Sequence, residues 1–222
     1  MNGNRLNFNV NGEPVKGYLS LPSQSNAPGV LVLHAWWGLN LFFESLCDRL
    51  AAEGFAAFAP DLREGHIATT IEEAKQLINE LDEMKNQAVI EAAVAFLKDR
   101  TEVQKEALSV IGFSMGAGWS LVTAEEYPQD IHKAVLFYGS YSDLQFSNAK
   151  ADILGHFAEV DEWEPAEEVN KMENNMRSAG LNLIFHKYPN TSHWFFEEDR
   201  PEFNAEAAQL AWTRTLEFLR KK

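Results

Sequence analysis

A single cysteine, Cys47, stands among 222 residues, so no disulfide can form within the chain and a scaffold of paired cysteines is excluded. Its setting, Ser45-Leu46-Cys47-Asp48-Arg49-Leu50, reads as the apolar side of a helix, where core packing explains it better than a reactive thiol. Basic residues are scarce: 19 Lys and Arg face 33 Asp and Glu, a formal net charge of −14. That field repels nucleic acid and anionic membrane surfaces, so neither is expected as a partner. No apolar run reaches the ~18 residues of a membrane span. The opening Met1-Asn2-Gly3-Asn4-Arg5 lacks the basic-then-apolar order of a signal peptide, and the expected location is cytoplasmic. Repeats, low-complexity tracts and domain linkers are also missing. So is any cluster of His, Cys and acidic residues at ligand spacing, and no metal is expected.

What remains is an ordinary globular composition, 45% hydrophobic and 23% charged, at a length that suits one domain over residues 1–222. Residues 5–10 and 15–21 alternate in polarity around Asn11-Gly12, a strong hairpin signal. Val30-Leu31-Val32-Leu33 is a continuous apolar run of the kind buried on both faces of a sheet. A helical pattern runs from Leu41 to Glu53 and ends at Gly54; Phe55 to Ala59 is a short strand stopped by Pro60. Residues 70–99 read as helical. Ala107 to Ile111, Ala134 to Tyr138, Ile153 to Phe157 and Leu181 to His186 read as strands, with helices over 115–127, 165–179 and 204–220. Strands alternating with helices after a hairpin start predict an α/β fold: a mostly parallel sheet with an antiparallel N-terminal hairpin and helices on both faces.

The segment richest in chemistry is Gly112-Phe113-Ser114-Met115-Gly116, between a predicted buried strand and a predicted helix. That is the pattern of a nucleophile elbow. A serine on so sharp a turn needs neighbours without side chains two residues to either side, which Gly112 and Gly116 supply. A serine hydroxyl is a weak nucleophile near neutral pH; it needs a base, and the base needs an acid to hold its tautomer. In the α/β-hydrolase fold the chain order is serine, acid, histidine. His193 lies in the polar loop after the last predicted strand, where the order places the base. Asp161, at the carboxyl end of the strand through Phe157, is the expected acid, with Asp143 as competitor and Glu159, Glu162 or Glu164 if the loop register is displaced. Of the other histidines, His132 reads as exposed, His156 and His186 as packed within strands, and His66 as lacking a partner pattern. His34 ends a buried strand, where it could shape a pocket without titrating. The oxyanion hole is expected from two backbone N–H groups, those of Met115 and Trp36.

These residues resemble the dienelactone hydrolase family over nearly the whole chain. The likeness is carried by Leu33-His34-Ala35-Trp36-Trp37-Gly38-Leu39-Asn40, by Gly54 to Leu62, by the elbow, by Asp161 to Pro165 and by Ser192-His193. It implies a single α/β-hydrolase domain without a large inserted cap, and ester or lactone hydrolysis without a cofactor. Two departures stand out. The family's best-known members use a cysteine nucleophile assisted by a glutamate, and here those positions are Ser114 and Ala35. They also hold a substrate carboxylate with arginines, one lying shortly after the histidine, where this chain reads Trp194-Phe195-Phe196-Glu197-Glu198; Arg200 is close but does not match.

With the acidic balance, this favours small neutral esters or lactones over anionic ones. Trp36, Trp37, Trp194 and Phe195 are the expected substrate-lining side chains, although aromatics in an α/β domain are commonly core. The chain is expected as a monomer or small homo-oligomer. The competing reading is a non-catalytic ligand-binding or sensing module on a hydrolase fold.

Overall fold

The computed structural model describes residues 3–221, the side chains of 105–107 excepted. The chain divides into two compact units, 1–108 and 109–222. The first opens with β1 (Asn4–Val10) and β2 (Glu13–Ser20), joined at Asn11 (φ 53°) and Gly12 (φ 93°). Two successive positive φ angles are the geometry of the tight hairpin turn that Asn-Gly favours. β3 (Ala27–Leu33) and β4 (Ala56–Pro60) complete an order β1-β2-β4-β3, antiparallel from β1 to β4 and parallel between β4 and β3. Val30 to Leu33 are fully buried. Pro60 is not beyond the strand but its last residue, opposite Gly17; proline is tolerated at such an end because few ladder donors remain to be lost.

α1 (Leu41–Ala52) is capped by Asn40, whose side chain accepts the Phe43 N–H, and it buries Cys47. The helical stretch expected over 70–99 is two helices, α2 (Ile71–Asn79) and α3 (Glu83–Lys98). Thr70 and Glu73 form a capping box at the first, and Asp82 accepts the Lys85 N–H at the second. An N-cap inside a continuous helical periodicity resets the helix, because a side-chain acceptor competes for the donors of the next turn.

β5 (Val103–Phe113) is longer than expected and runs from the first unit into the second. The second unit continues with α4 (Met115–Glu126), β6 (Ile131–Phe137), β7 (Asp152–Ala158), α5 (Ala166–Ser178), β8 (Leu183–Tyr188) and α6 (Ala205–Arg220). Its strands follow the order β5-β6-β7-β8, with β6, β7 and β8 parallel. Their carboxyl ends therefore lie together, the edge at which such sheets gather functional groups. Tyr138 leaves β6 with φ 37°, so the expected strand through Tyr138 ends one residue earlier. Phe113 and Phe137 stack face to face at 4.5 Å beneath that edge, fixing the levels at which β5 and β6 stop.

Candidate active site

Ser114 sits between β5 and α4 with φ 51° and ψ −115°, a region that costs a non-glycine residue about 1–3 kcal/mol and persists only when its surroundings impose it. Those surroundings are visible. Its N–H donates to Phe137 O at 2.9 Å, and its carbonyl accepts the Ala117 N–H. A Cβ at Gly112 would collide with the Gly116 carbonyl and Ser120 Oγ, and one at Gly139 would collide with the Ser114 carbonyl. The turn is closed from both sides at distances only glycine allows.

The side chain of Ser114 meets His193, with Oγ 2.9 Å from Nε2. On the other side of the ring, Nδ1 lies 2.9 and 2.8 Å from the two carboxylate oxygens of Asp161. A carboxylate at Nδ1 holds the proton there and leaves Nε2 free to accept one. Asp161 is itself anchored, since its Oδ1 accepts the N–H groups of Trp163 and Glu164. The loops that carry Asp161 and His193 are tied together: Val160 N–H donates to Thr191 O, and Asn190 N–H donates to Glu159. The side chains of His193 and Asp161 are 4% and 8% exposed, a dryness that strengthens interactions within the row.

The other acids are placed elsewhere. Asp143 pairs with Lys171 on the surface, 81% exposed. Glu159 holds the Asn190 turn, and Glu162 is exposed. Glu164 accepts from the N–H and hydroxyl of Ser140, and burial raises its pKa. The other histidines are structural or peripheral. His156 is buried between the Tyr188 and Thr215 hydroxyls, and burial pushes its pKa well down. His132 is exposed, and His66 Nδ1 lies against the Arg63 carbonyl.

Among the expected lining residues, Trp36 is half-buried, whereas Trp37, Trp194 and Phe195 are 2%, 4% and 0% exposed. Phe195 packs between the Tyr138 and Tyr188 rings. Trp194, at φ 65°, lies edge-on to His193 and against Trp163. A cavity of about 510 Å³ borders Asp161 and Glu164 from the side of Phe157, Val160, Phe185 and Lys187, and neither Ser114 nor His193 lines it. Among the described residues no group of His, Cys, Asp or Glu converges as a metal site.

The sequence reading missed one feature. Glu197, fully buried, accepts the Tyr138 hydroxyl at 2.8 Å, and the Tyr138 ring lies 4.9 Å from that of His193. The lack of an arginine in the stretch Trp194 to Glu198 was the only signal there; the tyrosine lies 59 residues away in sequence.

A family model for the dienelactone hydrolase family matches residues 15–222. The chain belongs to the dienelactone hydrolase family. By that membership it is an ester or lactone hydrolase. It is 33% identical to "Protein usf" of Aquifex pyrophilus, over 99% of this chain and 98% of that one. It is 29% identical to a protein of Aquifex aeolicus named "Putative carboxymethylenebutenolidase", over 98% of each. A Klebsiella pneumoniae crystal structure named "Putative Dienelactone Hydrolase" superposes with a TM-score of 0.91 at 23% identity, covering 99% of this chain and 98% of that one. That likeness shows the α/β-hydrolase fold. Among the described residues, no helix of this family member is long and apolar enough to cross a membrane.

Proposed function

We propose that this dienelactone hydrolase family member cleaves small neutral esters or lactones through an acyl-enzyme on Ser114. The observation that carries the reading is the row Asp161–His193–Ser114, 2.8 and 2.9 Å between successive members. Ser114 Oγ attacks the carbonyl carbon as His193 Nε2 takes its proton. Asp161 stabilises the imidazolium, which returns the proton to the leaving alkoxide. Water then repeats the sequence against the acyl-enzyme, releasing the acid and restoring Ser114. The oxyanion is assigned to the Met115 N–H at the start of α4 and, from the sequence order, to the Trp36 N–H.

Neutral substrates are favoured because the Asp161 and Glu164 carboxylates stand beside the base, where a further anion meets repulsion, and because the stretch Trp194 to Glu198 holds no arginine to serve a substrate carboxylate. The lactone part of the reading rests on membership of the dienelactone hydrolase family. From their places in the sequence, Trp36, Trp37, Trp194 and Phe195 are the residues proposed to line the substrate, of which Trp194 lies edge-on to His193.

The test is a fluorophosphonate reagent followed by peptide mass spectrometry. One adduct on Ser114 and parallel loss of aryl-ester and neutral-lactone turnover are expected. A folded chain in which the reagent modifies no serine would sink the acyl-enzyme reading, and ligand binding without turnover would favour the binding module instead.

A further inference from the structure

Glu197 is the most deeply enclosed acid in the second unit, with no measurable exposure. Its Oε1 accepts the Tyr138 hydroxyl, and its Oε2 is buried with no hydrogen-bond partner. Around it lie aromatic rings: Phe196, its chain neighbour, packs on Phe113 and Phe137. A carboxylate anion in such a place would be an uncompensated charge, so the group takes a proton instead. Burial drives its pKa up to about 8. Asp199 and Glu202 push the same way, against the Tyr138 hydrogen bond and Arg200.

The pair stands where three parts of the site meet. Tyr138 directly follows Phe137, whose carbonyl holds the Ser114 N–H, and precedes Gly139, which packs on the Ser114 carbonyl. Its ring lies against His193, and its hydroxyl reaches the turn that carries His193, since Glu197 N–H donates to Trp194 O.

We propose that Tyr138 and protonated Glu197 are positioning residues, joining the histidine turn to the elbow so that His193 Nε2 is held on Ser114 Oγ. This rests on the serine reading above. Ionisation of Glu197 places a charge in the aromatic pocket; to be solvated it must draw its turn outward, and His193 moves with it. The groups facing the pair are His193 and Asp161 from the site and Asp199, Arg200 and Glu202 from the following turn. None of these supplies a hydrogen bond to Oε2.

The experiment measures the rate of Ser114 phosphonylation by a fluorophosphonate from pH 6 to 9.5, separating maximal rate from reagent affinity. It uses the parent, Glu197→Gln, Glu197→Ala and Tyr138→Phe. Glutamine keeps the acceptor and stays neutral at every pH. The expected result is a maximal rate that falls above about pH 8 in the parent and does not fall in Glu197→Gln. At pH 7, Glu197→Ala and Tyr138→Phe should lower the maximal rate by ~10-fold or more with affinity little changed, and Glu197→Gln should retain the parent rate. An alkaline fall identical in parent and Glu197→Gln overturns the proposal, as does an undiminished maximal rate in Tyr138→Phe. If Glu197→Ala does not fold, the other two variants still decide. No labelling of Ser114 in the parent would instead be a failure of the serine reading itself.

Discussion

His34 and His193 are 0% and 3% exposed, one in each unit, and they are held by opposite kinds of partner. His34 follows β3, where its Nδ1–H donates to the Ala35 carbonyl and its Nε2 accepts the Leu62 N–H. Both ring nitrogens are committed to backbone, and burial lowers its pKa to about 4. His193 offers one nitrogen to a carboxylate and the other to a hydroxyl. Enclosure is thus common to both, and the partner set divides them: a ring between two backbone groups is a brace, whereas a ring between an acid and a hydroxyl can carry a proton in either direction.

The comparison breaks first on turnover. His193→Ala and Ser114→Ala should each lower ester turnover by ~10³-fold or more, and Asp161→Asn by ~10²-fold or more, losses that persist when turnover is expressed per folded molecule. His34→Ala should do the reverse, costing about 2–4 kcal/mol of stability through a cavity and an unpaired Leu62 N–H. What turnover its folded fraction shows should remain near that of the parent. Steady-state rates beside urea titrations check both. Equal turnover losses in His34→Ala and His193→Ala, measured on folded protein, would dissolve the distinction.

The two units should also respond to pH with opposite sign. Folded His34 stays neutral down to about pH 4, while the unfolded chain takes up that proton near 6.5. The unfolded state then binds more protons, so this contribution is lost as pH falls from 6.5 to 4. Glu197 is the reverse: folded, it keeps its proton to about pH 8, and unfolded it releases it near 4.5. Its contribution is present below 4.5 and lost as pH rises through 8. At roughly 1.4 kcal/mol per pKa unit, the limits are about 3 kcal/mol for His34 and about 5 kcal/mol for Glu197. Urea titrations at pH 4.5, 6.5 and 8.5 should show His34→Gln flattening the acid side and Glu197→Gln the alkaline side. Parallel pH dependences in parent and both variants would defeat the assignment.

Much of this was legible in the sequence for local reasons. Asn11-Gly12 specifies its turn within two residues, and Gly112 to Gly116 specifies the elbow within five, because sterics at a sharp turn admit few residues. The order of Ser114, Asp161 and His193 is the one the α/β-hydrolase fold implies, with each residue sought just beyond a predicted strand. What was hidden depends on distance or on competition. The reset at Asp82 is invisible to a periodicity that continues through it, and β5 begins four residues before its first expected residue, at Val103. Tyr138 and Glu197 carry no shared pattern, since only the folded sheet brings residues so far apart in sequence to 2.8 Å.

The smallest expected effect sharpens the choice of acid. Asp143 and Asp161 were both candidates for the partner of His193, and both carry an ion pair or its equivalent: Asp143 with Lys171 at 2.6 Å, Asp161 with His193 at 2.8 Å. Short distance does not separate them; exposure does. The Asp143 side chain is 81% exposed and that of Asp161 8%. Water screens the first pair, so its loss costs at most about 0.5 kcal/mol, whereas the second works where a lost acceptor leaves the imidazole proton unpaired. Asp143→Asn should accordingly leave ester turnover within about twofold of the parent and the denaturation midpoint nearly unmoved. A large loss of turnover in Asp143→Asn together with a mild one in Asp161→Asn would move the acid to the loop after β6.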